Sequence, residues 1–96
     1  TASFKDFDMP TLRRIADIIE NRADRFALLL ISTNGNRVIY HMRFSPDLKV
    51  DVKGISSRIA QILGGKGGGK GRKAEGGGSK PEKISEAMEE FKSLLK

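Results

Sequence analysis

The chain has 96 residues and a net charge of +6, from 18 Lys and Arg against 12 Asp and Glu, with no cysteine and one histidine, His41. That composition excludes a disulfide framework, a cysteine zinc site, a thiol nucleophile and a multi-histidine metal centre. No run approaches the roughly 18 apolar residues of a membrane span, so no membrane partner is expected; the basic balance favours a polyanion such as nucleic acid.

A chain of this length is expected to form a single domain over residues 1–96, burying only about 60–65% of its unfolded surface and so of modest stability. It starts at Thr1 with no signal-peptide pattern, and is expected to be a fragment of a larger soluble, cytoplasmic protein. A processed mature start is the alternative.

In chain order, residues 1–8 hold a weak strand signal around Phe4 and Phe7. Asp8 or Thr11 then caps a helix whose apolar residues Leu12, Ile15, Ala16, Ile19 and Ala23 form one buried stripe. Phe26–Ser32 is a continuous apolar run, as in a central strand covered on both faces. Asn34-Gly35 predicts a tight hairpin with both residues in the turn at positive φ. The next strand alternates: Val38, Tyr40, Met42 and Phe44 share one face, while Arg37, Ile39, His41 and Arg43 make the other polar and basic. Ser45-Pro46-Asp47 breaks it. Val52, Ile55, Ile59 and Ile62 then repeat at helical spacing up to Gly64, a helix-stop signal. After the glycine-rich stretch, Ser79-Lys80-Pro81-Glu82 reads as a capping box, and Ile84, Ala87, Met88, Phe91, Leu94 and Leu95 stripe a last helix. The class is therefore α/β (α+β): a small mixed sheet of three to four strands with helices packed on it, in the order β-α-β-β-α-(Gly-rich segment)-α.

The glycine-rich basic segment, residues 64–78, is the unusual part. Gly64, Gly69 and Lys70 match the G-x-x-x-x-G-K half of a phosphate loop. The full motif joins a strand to a helix and continues with Ser or Thr; here a helix precedes it and Gly71 follows Lys70, which argues against nucleotide hydrolysis. A flexible linker is the simpler reading of such composition. Between residues 64 and 83, however, six basic residues face two acidic ones, a net of +4, and an amphipathic helix brings the chain back to the core. Glycines that admit a backbone closely, among lysines and arginines, suit contacts to phosphates.

"LGGKGGGKGRKAEGGG", Leu63 to Gly78, closing an amphipathic helix and followed by a terminal one, resembles the C-terminal domain of alanyl-tRNA synthetases, of the DHH-associated fold. The likeness extends over "DMPTLRRIADIIENRADRFALLLIST" as helix and strand, then over the hairpin and helix that follow, nearly the whole chain. Where that family commonly reads Arg-Pro-Asp, this chain has Lys70-Gly71-Arg72, a looser and more basic turn. The resemblance implies a non-catalytic module that contacts the outer corner (elbow) of tRNA-Ala and helps couple aminoacylation with editing. The rest of the synthetase chain, an alanine–tRNA ligase, would be its covalent partner, and a homodimer is possible. No cofactor is implied for this fragment.

On that reading Lys66, Lys70, Arg72 and Lys73 supply phosphate contacts, Gly67, Gly68 and Gly69 admit the RNA backbone, and Arg37 and Arg43 extend the patch. His41 reads as a surface or hydrogen-bonded histidine rather than a base, since no nucleophile or carboxylate constellation surrounds it. Glu86, Glu89 and Glu90 read as a solvated helix face. Two alternatives carry different predictions. One is a protein-interaction or dimerisation domain with little RNA binding, its last helix forming the contact. The other is the accessory domain of a DHH-type phosphoesterase.

Overall fold

The computed structural model describes residues 1–95. Its elements in chain order are strand β1 (Ala2–Lys5), helix α1 (Met9–Glu20), β2 (Ala27–Asn34), β3 (Arg37–Phe44), α2 (Val52–Ile62), β4 (Lys66–Lys70), β5 (Lys73–Gly78) and α3 (Ile84–Leu94), with a short 3₁₀ turn, Pro81–Lys83, before α3. The strands form one five-stranded sheet in the order β1-β2-β3-β5-β4. β1 runs parallel to β2, and all other neighbours are antiparallel. Three to four strands were expected and five are found. The difference is the glycine segment itself, which folds back as the β4–β5 hairpin. Glycine carries no β-pattern of apolar alternation, so the strand signal is absent from its sequence.

The sheet is covered on both faces, as the continuous apolar run of β2 requires. On one face α2 and α3 pack over Leu29, Ile31, Val38, Tyr40, Met42 and Phe44, with Phe91 of α3 tilted against Phe44. On the other, Leu12 and Ala16 of α1 bury against Leu30, with Phe4, Phe7 and Ile39 around them. The face of β3 expected to be polar and basic is therefore roofed by α1 over His41 and Arg43, both of which are buried, while Arg37 at its start stays exposed.

The helix ends follow local chemistry. Asp8 caps α1, its carboxylate accepting from the Thr11 amide at 3.0 Å and the Thr11 hydroxyl at 2.6 Å. Asp51 caps α2 through the Gly54 amide at 3.1 Å. α2 stops at Gly64, φ +74°, where Gly64 donates to the Gln61 carbonyl and Gly65 to the Ala60 carbonyl. That is a Schellman termination, and the positive φ is why glycine stands there. The capping box expected at Ser79 does not form. The Ser79 hydroxyl faces the Gly64 carbonyl instead, at 3.4 Å, and the Ser79 and Lys80 amides both donate to the Leu63 carbonyl. Those bonds tie the end of α2 to the start of the last segment, so Ser79 serves tertiary closure rather than its own helix.

Both hairpins turn on a glycine at the first loop position. Asn34 pairs with Arg37 around Gly35-Asn36, and Lys70 pairs with Lys73 around Gly71-Arg72. Gly35 and Gly71 have φ +65° and +64°, and neither Asn34 nor the second loop residue is positive. Asn34 thus belongs to the strand, not to the turn as expected. A single positive φ at the first position is the requirement of a type II′ turn, whose twist matches the flanking strands.

Candidate nucleic-acid interface

Side chains alternate along β4, and the alternation sorts its glycines into two roles. Gly67 and Gly69 face α2; Lys66, Gly68 and Lys70 face the other way, toward the α1 side of the sheet. A Cβ on Gly67 would run into the Tyr40 hydroxyl, and one on Gly69 would press on Val52 and Ala74 at 3.2 Å. A Cβ on Gly68 would meet nothing within 4 Å. Of the three glycines expected to admit an RNA backbone, Gly67 and Gly68 are both exposed, and Gly68 is the one whose missing side chain leaves open space. The missing side chain of Gly67 makes room for Tyr40.

The core partner is a hydrogen-bonded relay. Buried Tyr40 donates to the Ser56 carbonyl at 3.0 Å and sits 2.7 Å from the Ser56 hydroxyl, which itself reaches the Gly68 carbonyl at 3.4 Å. Burial pushes the Tyr40 phenol above its usual range, with Ser56 opposing. The back of the glycine strand is therefore propped from inside by α2, while its front is bare.

On that front α1 lies across β2 and β3, and the β5–β4 end of the sheet extends past it. Two depressions result. One, of about 540 Å³, is lined by Gly68, Lys70, Lys73 and Glu75 together with Arg13 of α1. The other, of about 590 Å³, lies at the opposite end of the hairpin and collects Arg37 and Lys66 over Gly77. Lys66, Lys70, Lys73 and Arg37 are all exposed. Four of the basic residues expected in the site are thus presented around one glycine hairpin.

The other two are not presented in the same way. Arg43 is 3% exposed, its guanidinium bound to Asp17 at 2.5 Å and Glu20 at 3.1 Å beneath α1. It does not extend the patch, because α1 covers the strand face that carries it. Arg72 donates to the Phe44 carbonyl at 2.7 Å and approaches Glu20 at 3.7 Å. Its charge brackets the hairpin tip to the end of β3 and is already shared with an acid.

His41 is not a surface residue. It lies directly opposite Glu75 in the β3–β5 register, with Nδ1 2.8 Å from Glu75 Oε2, and its Nε2 is buried without a hydrogen-bond partner. Burial pushes its imidazole below the ordinary 6.5, with Arg43 and Arg13 adding to the effect and Glu75 opposing it. Glu75 is held below the ordinary carboxylate range chiefly by its hydrogen bonds from Arg13, then by His41, against the cost of its own burial. Arg13 grips Glu75 with both arms, Nε to Oε2 and Nη2 to Oε1, each at 2.6 Å. Sequence reasoning missed Arg13: on α1 it reads as an ordinary solvated position, and it is 62 residues from its partner.

The fold recurs in known proteins. The family model described as the DHHA1 domain matches residues 1–96. The chain belongs to the DHHA1 domain family. It is similar to the alanine–tRNA ligase of Natranaerobius thermophilus, 31% identical over 94 residues, covering 95% of this chain and 11% of that protein. The alanine–tRNA ligase of Pseudothermotoga lettingae is 35% identical over 94 residues, covering 96% of this chain and 11% of the relative. Among solved structures, the C-Ala domain from Aquifex aeolicus alanyl-tRNA synthetase matches with a TM-score of 0.89 at 28% identity, over 97% of this chain and 86% of that one. This DHHA1 chain thus spans 11% of the length of these two curated relatives, one segment of each. No helix among the described residues is long and apolar enough to cross a membrane.

Proposed function

We propose that this DHHA1 domain is the tRNA-binding C-terminal domain of an alanyl-tRNA synthetase, acting in the cytoplasm as an accessory to a catalytic chain that ligates alanine to tRNA. The observation that carries the reading is the bare glycine hairpin with Lys66, Lys70, Lys73 and Arg37 exposed around it. Its physical logic is phosphate contact. Exposed lysines and arginine neutralise a polyanion, and a strand without side chains lets the sugar–phosphate backbone approach the sheet. The arrangement offers no aromatic platform for stacked bases, so binding rests on shape and charge. Its ligand is the outer corner of tRNA-Ala, and holding that corner lets one tRNA serve both aminoacylation and editing. The relatives over which the chain matches along nearly its whole length support this assignment.

A homodimer through α3 is the second reading, and its observation is the 41% exposure of Leu94. The rest of the stripe is packed: Ala87 and Phe91 are buried, and Ile84, Met88 and Leu95 lie against the core. One exposed leucine makes no contiguous apolar patch, so the RNA reading is the stronger.

The test is binding of tRNA-Ala by this chain across a salt series, with an unstructured RNA of equal length as control. About four phosphate contacts give a log–log salt slope of roughly −3 to −4. Preference for the folded tRNA with that slope supports the reading. Equal binding of both RNAs removes recognition of the corner, and no binding at low salt with a concentration-dependent mass turns the assignment to the dimer.

A further inference from the structure

The depression between α1 and the β4–β5 hairpin contains an internal ion pair that has the form of a ligand contact. Arg13 reaches down from α1 and clasps the Glu75 carboxylate with two parallel hydrogen bonds of 2.6 Å. Beside them stand Lys70 and Lys73, and the backbone of Gly68 is uncovered. One carboxylate held by Arg13 thus shares the depression with two further cations, beside a glycine that carries no side chain.

The pair is poorly suited to being structural glue. The Arg13 side chain is 52% exposed and that of Glu75 29%, and ion pairs so open to water contribute little to stability. Glu75 also has a second partner, His41, which stays with it if Arg13 leaves. A guanidinium fork fits a phosphate as it fits a carboxylate, two N–H groups to two oxygens. Arg13 can therefore exchange one anion for the other with little loss.

We infer that this depression is a phosphodiester seat in which Glu75 occupies the place of the phosphate: the carboxylate holds Arg13 poised over Gly68, and Arg13 passes to the incoming phosphate between Lys70 and Lys73. The inference rests on the RNA reading above for the source of the phosphodiester. It adds Arg13 as a binding residue and gives Glu75 the role of an internal competitor.

Two variants and two probes test it. Arg13→Gln removes a half-exposed charge and leaves the core intact. It is expected to weaken tRNA-Ala binding about 5- to 10-fold at moderate salt and to flatten the salt slope by about 1. Glu75→Gln removes the competitor and is expected to tighten binding about 2- to 5-fold. In parallel, inorganic pyrophosphate titrated into the wild-type chain is expected to shift the Gly68 and Gly69 amide resonances, and not to do so in Arg13→Gln. Unchanged affinity and slope for Arg13→Gln overturn the seat, as does weaker binding by a folded Glu75→Gln, which makes the pair a strut. The two proposals fail separately. If tRNA binds and Arg13→Gln is indifferent, the RNA reading stands without the seat. If tRNA does not bind but pyrophosphate moves the glycine amides through Arg13, the seat stands and the RNA reading falls.

Discussion

The hydroxyl of Tyr40 occupies the space that a side chain at Gly67 would fill. Tyr40 comes from the centre of β3 and Gly67 from the edge strand β4, and β5 lies between them in the sheet. The approach is possible because Gly76, the β5 residue between them and the partner of both in register, also lacks a Cβ. Two glycines in adjacent strands thus make a slot through which a buried phenol reaches Ser56 on α2.

Gly67→Ala is expected to destabilise the chain by about 2–4 kcal/mol, the range for forcing atoms into a packed site and displacing a buried hydrogen bond. Gly68→Ala, one residue along, points into open space and is expected to stay within about 0.5 kcal/mol of the wild type. Urea denaturation of the two variants checks the contrast. Equal losses would mean that the strand tolerates neither and that the slot is not the reason.

Lys70→Ala combined with Lys73→Ala is expected to flatten the tRNA salt slope by about 2, since each lysine neutralises one phosphate. Both residues are exposed and face the same depression, so the melting temperature is expected to hold. A slope that stays at the wild-type value removes the hairpin tip from the interface.

Arg43→Ala separates structural from binding cations. Arg43 is buried under α1 against Asp17 and Glu20, and its loss is expected to cost about 1–3 kcal/mol, less than a fully buried pair because Asp17 is open to water. The salt slope for tRNA is expected to remain unchanged. A slope flattened by about one unit would instead show that Arg43 reaches phosphate.

The His41–Glu75 pair predicts how stability depends on pH. His41 resists protonation in the folded state, being held below its ordinary 6.5 by burial. The unfolded chain therefore binds the proton first, and stability falls as pH drops below 6.5 toward the depressed folded value. Glu75 is also held low, chiefly by Arg13. Its contribution is complete above the ordinary carboxylate value of 4.5 and is lost as pH falls through the depressed one. Urea midpoints measured from about pH 7 to pH 3 should decline in two stages, with the lower one reduced in Glu75→Gln. A flat profile between about pH 7 and 5 would show that His41 does not titrate differently in the two states.

Most of the helices and of the central hairpin were legible because their signals are local. The stripe of Leu12, Ile15 and Ala16, the cap at Asp8, and the stop at Gly64 each act within a turn or two of chain. The β-α-β order at the start of the chain also holds, and there β1 pairs parallel to β2. Lys66, Lys70, Lys73 and Arg37 stand out as charges, and the structure leaves them exposed. Arg43 misled because alternation assigns a residue to a face of the sheet and not to water or core; of the two readings for His41, the hydrogen-bonded one holds, through Glu75. Which face was roofed depended on where α1 came to rest.

The sequence by itself determined the kinds and order of the elements outside the glycine segment and the clustering of glycine with positive charge, since those depend on periodicity and composition within short windows. Only the tertiary structure decided that the glycine segment is a paired hairpin at the sheet edge. A run of glycines has no side chains to declare a buried face, and its strand character comes from the backbone bonds that β3 and β5 offer it. The same holds for the pairing of Arg13 with Glu75, which joins a helix to a strand 62 residues away. Both sites become neighbours through the packing of α1 on the sheet, a result of summed apolar burial that no local pattern encodes.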